Sequence, residues 1–315
     1  MNYSIIIINY NLSYEISTCL DSIYKHLNSN DFEIIIFDNN SDENSLEVLK
    51  SKVQTINANN ISLIPHNKNI GFGQACNQAV LKASGKLLFF LNPDTLLERN
   101  IFNEMDNQFG NEFFKDKIVG LNVHQHNAID YSAGFYPNLL FELLNTFSLG
   151  RFLEGLYVRF LAKSVKQNKI EVDWVMGASL IIPRNLFEII GGFDPDYFLY
   201  FEEVDMCRRV KNKGYSIYYL PQIKVKHIGS VSTKKNYYFF TKLFYKGKLI
   251  FLKKHTSSKK FVIFKFLLQI HFINQAILWH LLKSKFPEKA NGKLRAFKEL
   301  RMFVSDPINI SNSST

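Results

Sequence analysis

Leu87-Leu88-Phe89-Phe90-Leu91-Asn92-Pro93-Asp94-Thr95 is the stretch on which the fold turns. Five consecutive apolar residues predict a strand buried on both faces, as in a mostly parallel sheet. Asn92-Pro93 ends it, because proline removes a ladder donor and pushes the preceding residue into an extended conformation. Asp94 follows at once, at the carboxyl end of a buried strand, where open α/β sheets bind ligands. Asn-Pro-Asp-Thr is also good turn chemistry, and Asp94 or Thr95 can cap a following helix. The nine residues alone leave both readings open.

Working outward, Ser4-Ile5-Ile6-Ile7-Ile8 and Phe32-Glu33-Ile34-Ile35-Ile36-Phe37 predict two more buried strands, and residues 61–65 a short one. Between them, Ile16, Cys19, Leu20, Ile23 and Leu27 recur at helical spacing, residues 45–53 suit a helix, and Ala75, Ala79 and Ala83 mark another. Alternating strands and helices predict βαβ units, hence an α/β fold with a mostly parallel central sheet. The strand ends deliver Tyr10 and Asn11, then Asp38 and Asn40, then Asn92 and Asp94. Three polar pairs on one sheet edge describe a ligand crevice. Residues 141–161 are aromatic-rich and predict a helix, Leu180-Ile181-Ile182 a strand, and residues 217–220 and 224–227 two short strands ending at His227.

The chain has 315 residues, 46% hydrophobic and 21% charged, which describes a globular protein with ample length for a core. Cys19, Cys76 and Cys207 lie far apart without CxxC spacing, which excludes a disulfide framework and fits a reducing cytosol. Met1-Asn2-Tyr3-Ser4 enters the first strand without a basic region or cleavage site, so no signal peptide is expected. The net charge of +10 is concentrated: residues 234–301 carry 17 Lys/Arg against Glu288 and Glu299. Such a tail suits an anionic membrane surface or nucleic acid. No RRM, KH or zinc-finger pattern accompanies it, so nucleic acid is not the expected partner.

Several clusters carry chemistry. Asp38 can accept the imide N–H of uracil or thymine, or ribose hydroxyls, and can equally form an Asx turn or helix cap. Gly71 and Gly73 resemble a fragment of a phosphate loop, without the P-loop lysine or the full dinucleotide fingerprint. Asp94 and His227, a carboxylate and an imidazole at strand ends, suit Mn²⁺ or Mg²⁺ with a diphosphate completing the shell. Glu202, Glu203 and Asp205 crowd three carboxylates into four residues. Crowding raises a carboxyl pKa and so makes a general base, although an acidic first helical turn gives the same pattern.

Taken in order, these pieces resemble an inverting family-2 glycosyltransferase of the GT-A fold, over roughly residues 3–255. The resemblance rests on the Ile-rich strand ending in Asn9-Tyr10-Asn11, Asp38-Asn39-Asn40-Ser41, Asn69-Ile70-Gly71-Phe72-Gly73 with Asn77, and Leu91-Asn92-Pro93-Asp94. Asp173-Trp174-Val175-Met176-Gly177-Ala178, Gly191-Gly192-Phe193-Asp194, residues 198–207 and His227 complete it. Rhamnosyltransferases that extend lipid-linked polysaccharide (O-antigen) precursors are the most similar members, and galactofuranosyltransferases using UDP-sugars share much of the pattern. The resemblance implies that Asp38, with Tyr10, Asn11 and Asn40, holds the nucleotide, and that Asn69, Gly71, Phe72, Asn77 and Asn92 border nucleotide and sugar. It gives Trp174 and Gly177 to the acceptor or sugar, and Asp94 and His227 to Mn²⁺ or Mg²⁺. Glu203 stands at the position of the base, commonly Asp, with Glu202 and Asp205 as neighbours that could serve instead. Asn92 replaces the first acid of the family's DxD motif. The implied reaction moves L-rhamnose from dTDP-rhamnose, or a sugar from UDP, to a lipid-linked saccharide. A nucleotidyltransferase would share the α/β fold and a metal-binding carboxylate, but not the Glu202-Glu203 cluster or the Trp174 motif.

Residues 1–233 are expected to form the GT-A domain and residues 234–315 a basic, aromatic-rich helical region. Residues 261–282 are long enough to span a bilayer. Lys265, Gln269, His271, Asn274, Gln275 and His280 interrupt them, so a basic interfacial helix fits better, the alternative being a helical subdomain packing on the GT-A core or a dimer partner. The expected location is cytoplasmic, peripheral at the inner face of the cell membrane.

Overall fold

The computed structural model describes residues 2–27, 32–125, 128–129, 132–147, 167–229 and 236–305. In chain order, β1 (Tyr3–Asn9), α1 (Ser13–His26), β2 (Phe32–Asn39), α2 (Glu43–Ile56), β3 (Ile61–His66), α3 (Phe72–Val80) and β4 (Leu87–Leu91) form the expected alternation. Then come β5 (Thr95–Leu96), α4 (Ile101–Phe109), β6 (Lys117–Gln125), β7 (Ala128–Ile129), β8 (Ala133–Gly134) and α5 (Leu139–Thr146). The chain continues through β9 (Ile170–Glu171), β10 (Trp174–Val175), β11 (Ser179–Pro183), α6 (Arg184–Ile189), α7 (Glu202–Asn212) and β12 (Ser216–His227). Helices α8 (Tyr237–His255), α9 (Ser258–Leu281) and α10 (Pro287–Ser305) complete the described residues.

The main sheet runs β3-β2-β1-β4-β11-β6-β12-β5. Strands β1 to β4 are parallel, as are β6 and β12, whereas β11 lies antiparallel between β4 and β6. Burial on both faces explains the uninterrupted apolar runs: Ile5, Ile6 and Ile7 of β1 and Leu88, Phe89 and Phe90 of β4 are all inaccessible to solvent. The two short strands expected at 217–227 are one strand, bulged between Leu220 and Lys224. Of the helix expected at 141–161, residues 141–146 fall in α5 and residues 148–161 lie outside the described residues.

The chain divides into two compact units. The first comprises Met1–Phe135, Phe160–Pro195 and Glu203–Gly229 and holds the sheet. The second comprises Tyr136–Arg159, Asp196–Glu202 and Ser230–Thr315, so the basic tail shares its unit with two segments from earlier in the chain. Its core is built from Leu249, Leu252, Phe264, Leu268, Phe272, Trp279, Phe297 and Leu300. Helix α9 is long and apolar enough to cross a membrane, with a mean hydropathy of 1.6.

Candidate active site

The site begins where β4 stops. Asn92 N–H donates to the Ala178 carbonyl at 3.0 Å, extending the β4–β11 ladder by one rung beyond Leu91↔Ser179. That rung ties the Asn92-Pro93-Asp94 turn to the Trp174–Ala178 segment. The turn is closed by Thr95 Oγ1 donating to the Asn92 carbonyl at 2.6 Å. Strand β5 then pairs antiparallel with β12, placing Thr95 opposite His227. The register brings two residues 133 positions apart in sequence into contact: His227 Nε2 lies 3.0 Å from Asp94 Oδ2. Both side chains are largely shielded from solvent, at 14% and 12% exposure.

This is the pair that the sequence resemblance gives to a divalent cation. A carboxylate oxygen and an imidazole nitrogen are a donor set for Mn²⁺ or Mg²⁺. No group of three or more His, Cys, Asp or Glu suited to a metal occurs among the described residues. Two protein donors are fewer than the roughly six ligands such an ion takes.

The residues that the sequence resemblance gives to the nucleotide form a second cluster. Asp38 is buried, accepts from Asn9 Nδ2 at 2.7 Å and from Ser41 N–H at 3.1 Å, and thereby fixes the turn after β2. Asn11 and Asn40 occupy left-handed backbone at φ 57° and 66°, a region asparagine tolerates, and both are exposed. Asn11 locks to the Asp38 turn, its N–H donating to Ser41 Oγ and its side chain accepting from Asp42 N–H. Tyr10 beside them is half exposed. Asn39 carries a role that sequence reasoning missed. Its Nδ2 donates to Asn69 Oδ1 and the Gly71 carbonyl, and its Oδ1 accepts from Ile70 N–H, so it ties β2 to the 69–71 loop. Gly71, at φ 83°, starts α3 and leads directly into half-buried Phe72.

The acidic cluster is resolved by geometry. Asp205 is fully buried and receives Arg209 Nε at 2.6 Å, while the other guanidinium nitrogens donate to the carbonyls of Ile190 and Gly192. That fixes Asp205 in a structural clamp on the Gly191-Gly192 turn. The i, i+4 spacing of Asp205 and Arg209 was the available signal. Glu202 is buried at 4% exposure at the start of α7. Glu203 is partly exposed and lies beside Gly177: a Cβ on that glycine would stand 3.7 Å from Glu203 Cβ and 3.6 Å from Phe72 Cε1.

Two expected ligand-lining residues have structural contacts. Asn77 donates to the Phe193 carbonyl at 2.8 Å and accepts from Phe193 N–H at 2.9 Å, which commits its amide to holding that turn. Trp174 donates from Nε1 to the Phe135 carbonyl and pairs with Gly134, leaving its ring half-buried beside the site. Phe193 stacks edge-on against Phe90 of β4 and Phe72, an aromatic chain from the sheet to the site. Cys207, packed near Glu203 and Asp205, is pushed up to about 12, chiefly by burial, and Cys19 beside Thr95 likewise. Both remain thiols, so neither supplies a nucleophile.

Residues 4–123 match the family model for Glycosyl transferase family 2. That match makes residues 4–123, less than half of the chain, similar to family-2 glycosyltransferases, and the mostly parallel α/β sheet is that of the GT-A fold. Rhamnosyltransferase WbbL of Escherichia coli is 24% identical over 57% of this chain and 64% of its own length. N-acetylglucosaminyl-diphospho-decaprenol L-rhamnosyltransferase of Mycobacterium tuberculosis is 33% identical over 28% of each chain. The chain thus spans less than two thirds of either relative. In fold it resembles the mannosyltransferase PcManGT of Pyrobaculum calidifontis, solved with GDP-Man and Mn²⁺, at a TM-score of 0.58. That likeness covers 97% of this chain and 88% of the other, with 12% sequence identity.

Proposed function

We propose that the protein is an inverting glycosyltransferase that moves L-rhamnose from dTDP-rhamnose to a hydroxyl of a lipid-linked saccharide during cell-surface polysaccharide synthesis. The observation that carries this reading is the position of Glu203 at Gly177, where a Cβ would lie 3.7 Å from Glu203 Cβ and 3.6 Å from the edge of the Phe72 ring. In the mechanism, Asp38 and the Asn39-braced loop hold the nucleotide. Asp94 and His227 would hold Mn²⁺ or Mg²⁺, which would supply positive charge to offset that developing on the diphosphate. Glu203 takes the proton from the acceptor hydroxyl. That oxygen attacks the anomeric carbon as the bond to the diphosphate breaks, which inverts the centre and releases a nucleoside diphosphate. The names of the two bacterial relatives support rhamnose and, for the mycobacterial one, a lipid diphosphate acceptor.

The reading extends to the tail. Val262, Phe266, Ile273, Ile277 and Leu281 form an exposed apolar stripe along α9, with Phe266 at 64% and Leu281 at 72% exposure. Phe264, Leu268, Phe272 and Trp279 on its other face belong to the core of the second unit. A helix committed on one face and apolar on the other lies in a membrane interface, with Lys259, Lys260, Lys283 and Lys285 at its ends facing anionic lipid.

The deciding experiment offers dTDP-L-rhamnose, UDP-galactofuranose and UDP-hexoses with a short-chain N-acetylglucosaminyl-diphospho-prenol and Mn²⁺. Transfer from dTDP-rhamnose with release of dTDP is expected, and Glu203→Gln should remove nearly all of it while leaving dTDP binding intact. Transfer from a UDP-sugar alone would replace the donor. Release of pyrophosphate, or near-normal turnover by Glu203→Gln, would sink the mechanism.

A further inference from the structure

Two bulky residues, Tyr200 and Phe201, occupy left-handed backbone in succession, at φ 70° and 72°. For aromatic side chains this is a true outlier, kept only where surrounding structure enforces it. The very next residues are Glu202 and Glu203, the first two of α7. The elbow is therefore joined to Glu203 by a single intervening residue, Glu202.

The holding element is α8, in the same compact unit as residues 196–202. Gly247 leaves a notch filled by the Tyr200 carbonyl: a Cβ there would come within 2.4 Å of that oxygen, 3.3 Å of the carbonyl carbon and 3.4 Å of Phe201 Cβ. Around the notch, the Tyr200 ring meets Phe240 and Phe244 edge-on, and Phe201 meets Phe244 and Phe251. One turn further, Lys254 pairs with Asp196 at 2.7 Å and covers the Tyr197 ring. Residues 240, 244, 247, 251 and 254 recur at steps of four and three, a single stripe of the helix given over to residues 196–201.

We infer that α8 is a positioning element for the catalytic base, with Gly247 and Phe244 holding the Tyr200-Phe201 elbow that aims Glu203. This rests on the reading of Glu203 as base. It assigns the tail a part in turnover separate from any membrane contact. Backbone against backbone leaves no flexible side chain to yield at Gly247, so Gly247→Ala must displace the elbow. A displacement of about 1 Å at a reacting group costs about 100-fold in rate.

The test uses the full chain with dTDP-rhamnose and the short-chain acceptor, comparing Gly247→Ala and the milder Phe244→Leu with the parent. Expected is a fall in kcat of about 100-fold for Gly247→Ala and a smaller fall for Phe244→Leu, with dTDP affinity by calorimetry unchanged. Adding Glu203→Gln to Gly247→Ala should give no more loss than Glu203→Gln alone, because both act through one group. Normal kcat in a folded Gly247→Ala, equal losses of kcat and dTDP affinity, or multiplying effects in the double variant would each overturn the inference. If Gly247→Ala does not fold, Phe244→Leu decides by the same three readouts. An active Glu203→Gln would instead remove the base assignment itself, which keeps the two failures apart.

Discussion

Arg209 donates from Nε to Asp205 Oδ2 at 2.6 Å, and the carboxylate it reaches is completely buried. The same guanidinium caps the carbonyls of Ile190 and Gly192, so one side chain joins α7 to the turn that leads to Phe193. Arg209→Ala leaves a buried charge without its cation. The expected loss is ~3–5 kcal/mol, read from the urea midpoint. Asp205→Asn should lower stability but not kcat per folded molecule. Loss of kcat in folded Asp205→Asn would move the base from Glu203 to Asp205.

His227→Ala tests the proposed pair of metal ligands. With one of two protein donors gone, Mn²⁺ affinity in the presence of dTDP should fall by about tenfold or more, ~1.4 kcal/mol per decade. Electron paramagnetic resonance of free Mn²⁺ reads this directly without turnover. Unchanged Mn²⁺ binding would remove His227 from the site.

Glu33 gives a pH prediction remote from the site. Burial by itself would raise its carboxyl, but hydrogen bonds from the Ser4 hydroxyl, the Ser84 N–H and hydroxyl and the Gly85 N–H hold it below its ordinary value. A carboxyl lowered in the folded state contributes stability above its unfolded pKa and loses that contribution as pH falls through the folded one. Glu33→Gln should therefore be less stable than the parent at pH 7, with the gap closing on acidification below the ordinary carboxylate range. Thermal melts from pH 7 to pH 3 check this, and a gap independent of pH would contradict it.

Lys248 and Glu142 form an almost fully buried ion pair at 2.5 Å in the second unit. Lys248→Met strands the carboxylate and should cost ~3–5 kcal/mol. Lys248→Met combined with Glu142→Leu should recover most of that loss, since a packed apolar pair avoids desolvating two charges. Urea unfolding of the single and double variants separates the cases. An unaffected single variant would show the pair to be inconsequential.

The sequence by itself determined the alternation of strands and helices. Isoleucine-rich β1 and β2 and the Leu87–Leu91 run can be buried only as interior strands, and Pro93 must end the last of them. It also placed polar residues at the strand ends, because period and position along a strand are local properties. Tertiary structure decided what those residues do. The antiparallel insertion of β11 and the β5–β12 register bring Asp94 to His227, and no local pattern encodes a contact across 133 positions. Three carboxylates within four residues looked alike until burial and Arg209 set Asp205 apart from Glu203. Asn77 became a brace for Phe193 for the same reason: an amide's partner depends on what folds against it. The left-handed Tyr200-Phe201 elbow lies furthest from local preference. Aromatic residues avoid that conformation on their own, and a distant helix meets it with the notch at Gly247 and the rings of Phe240, Phe244 and Phe251.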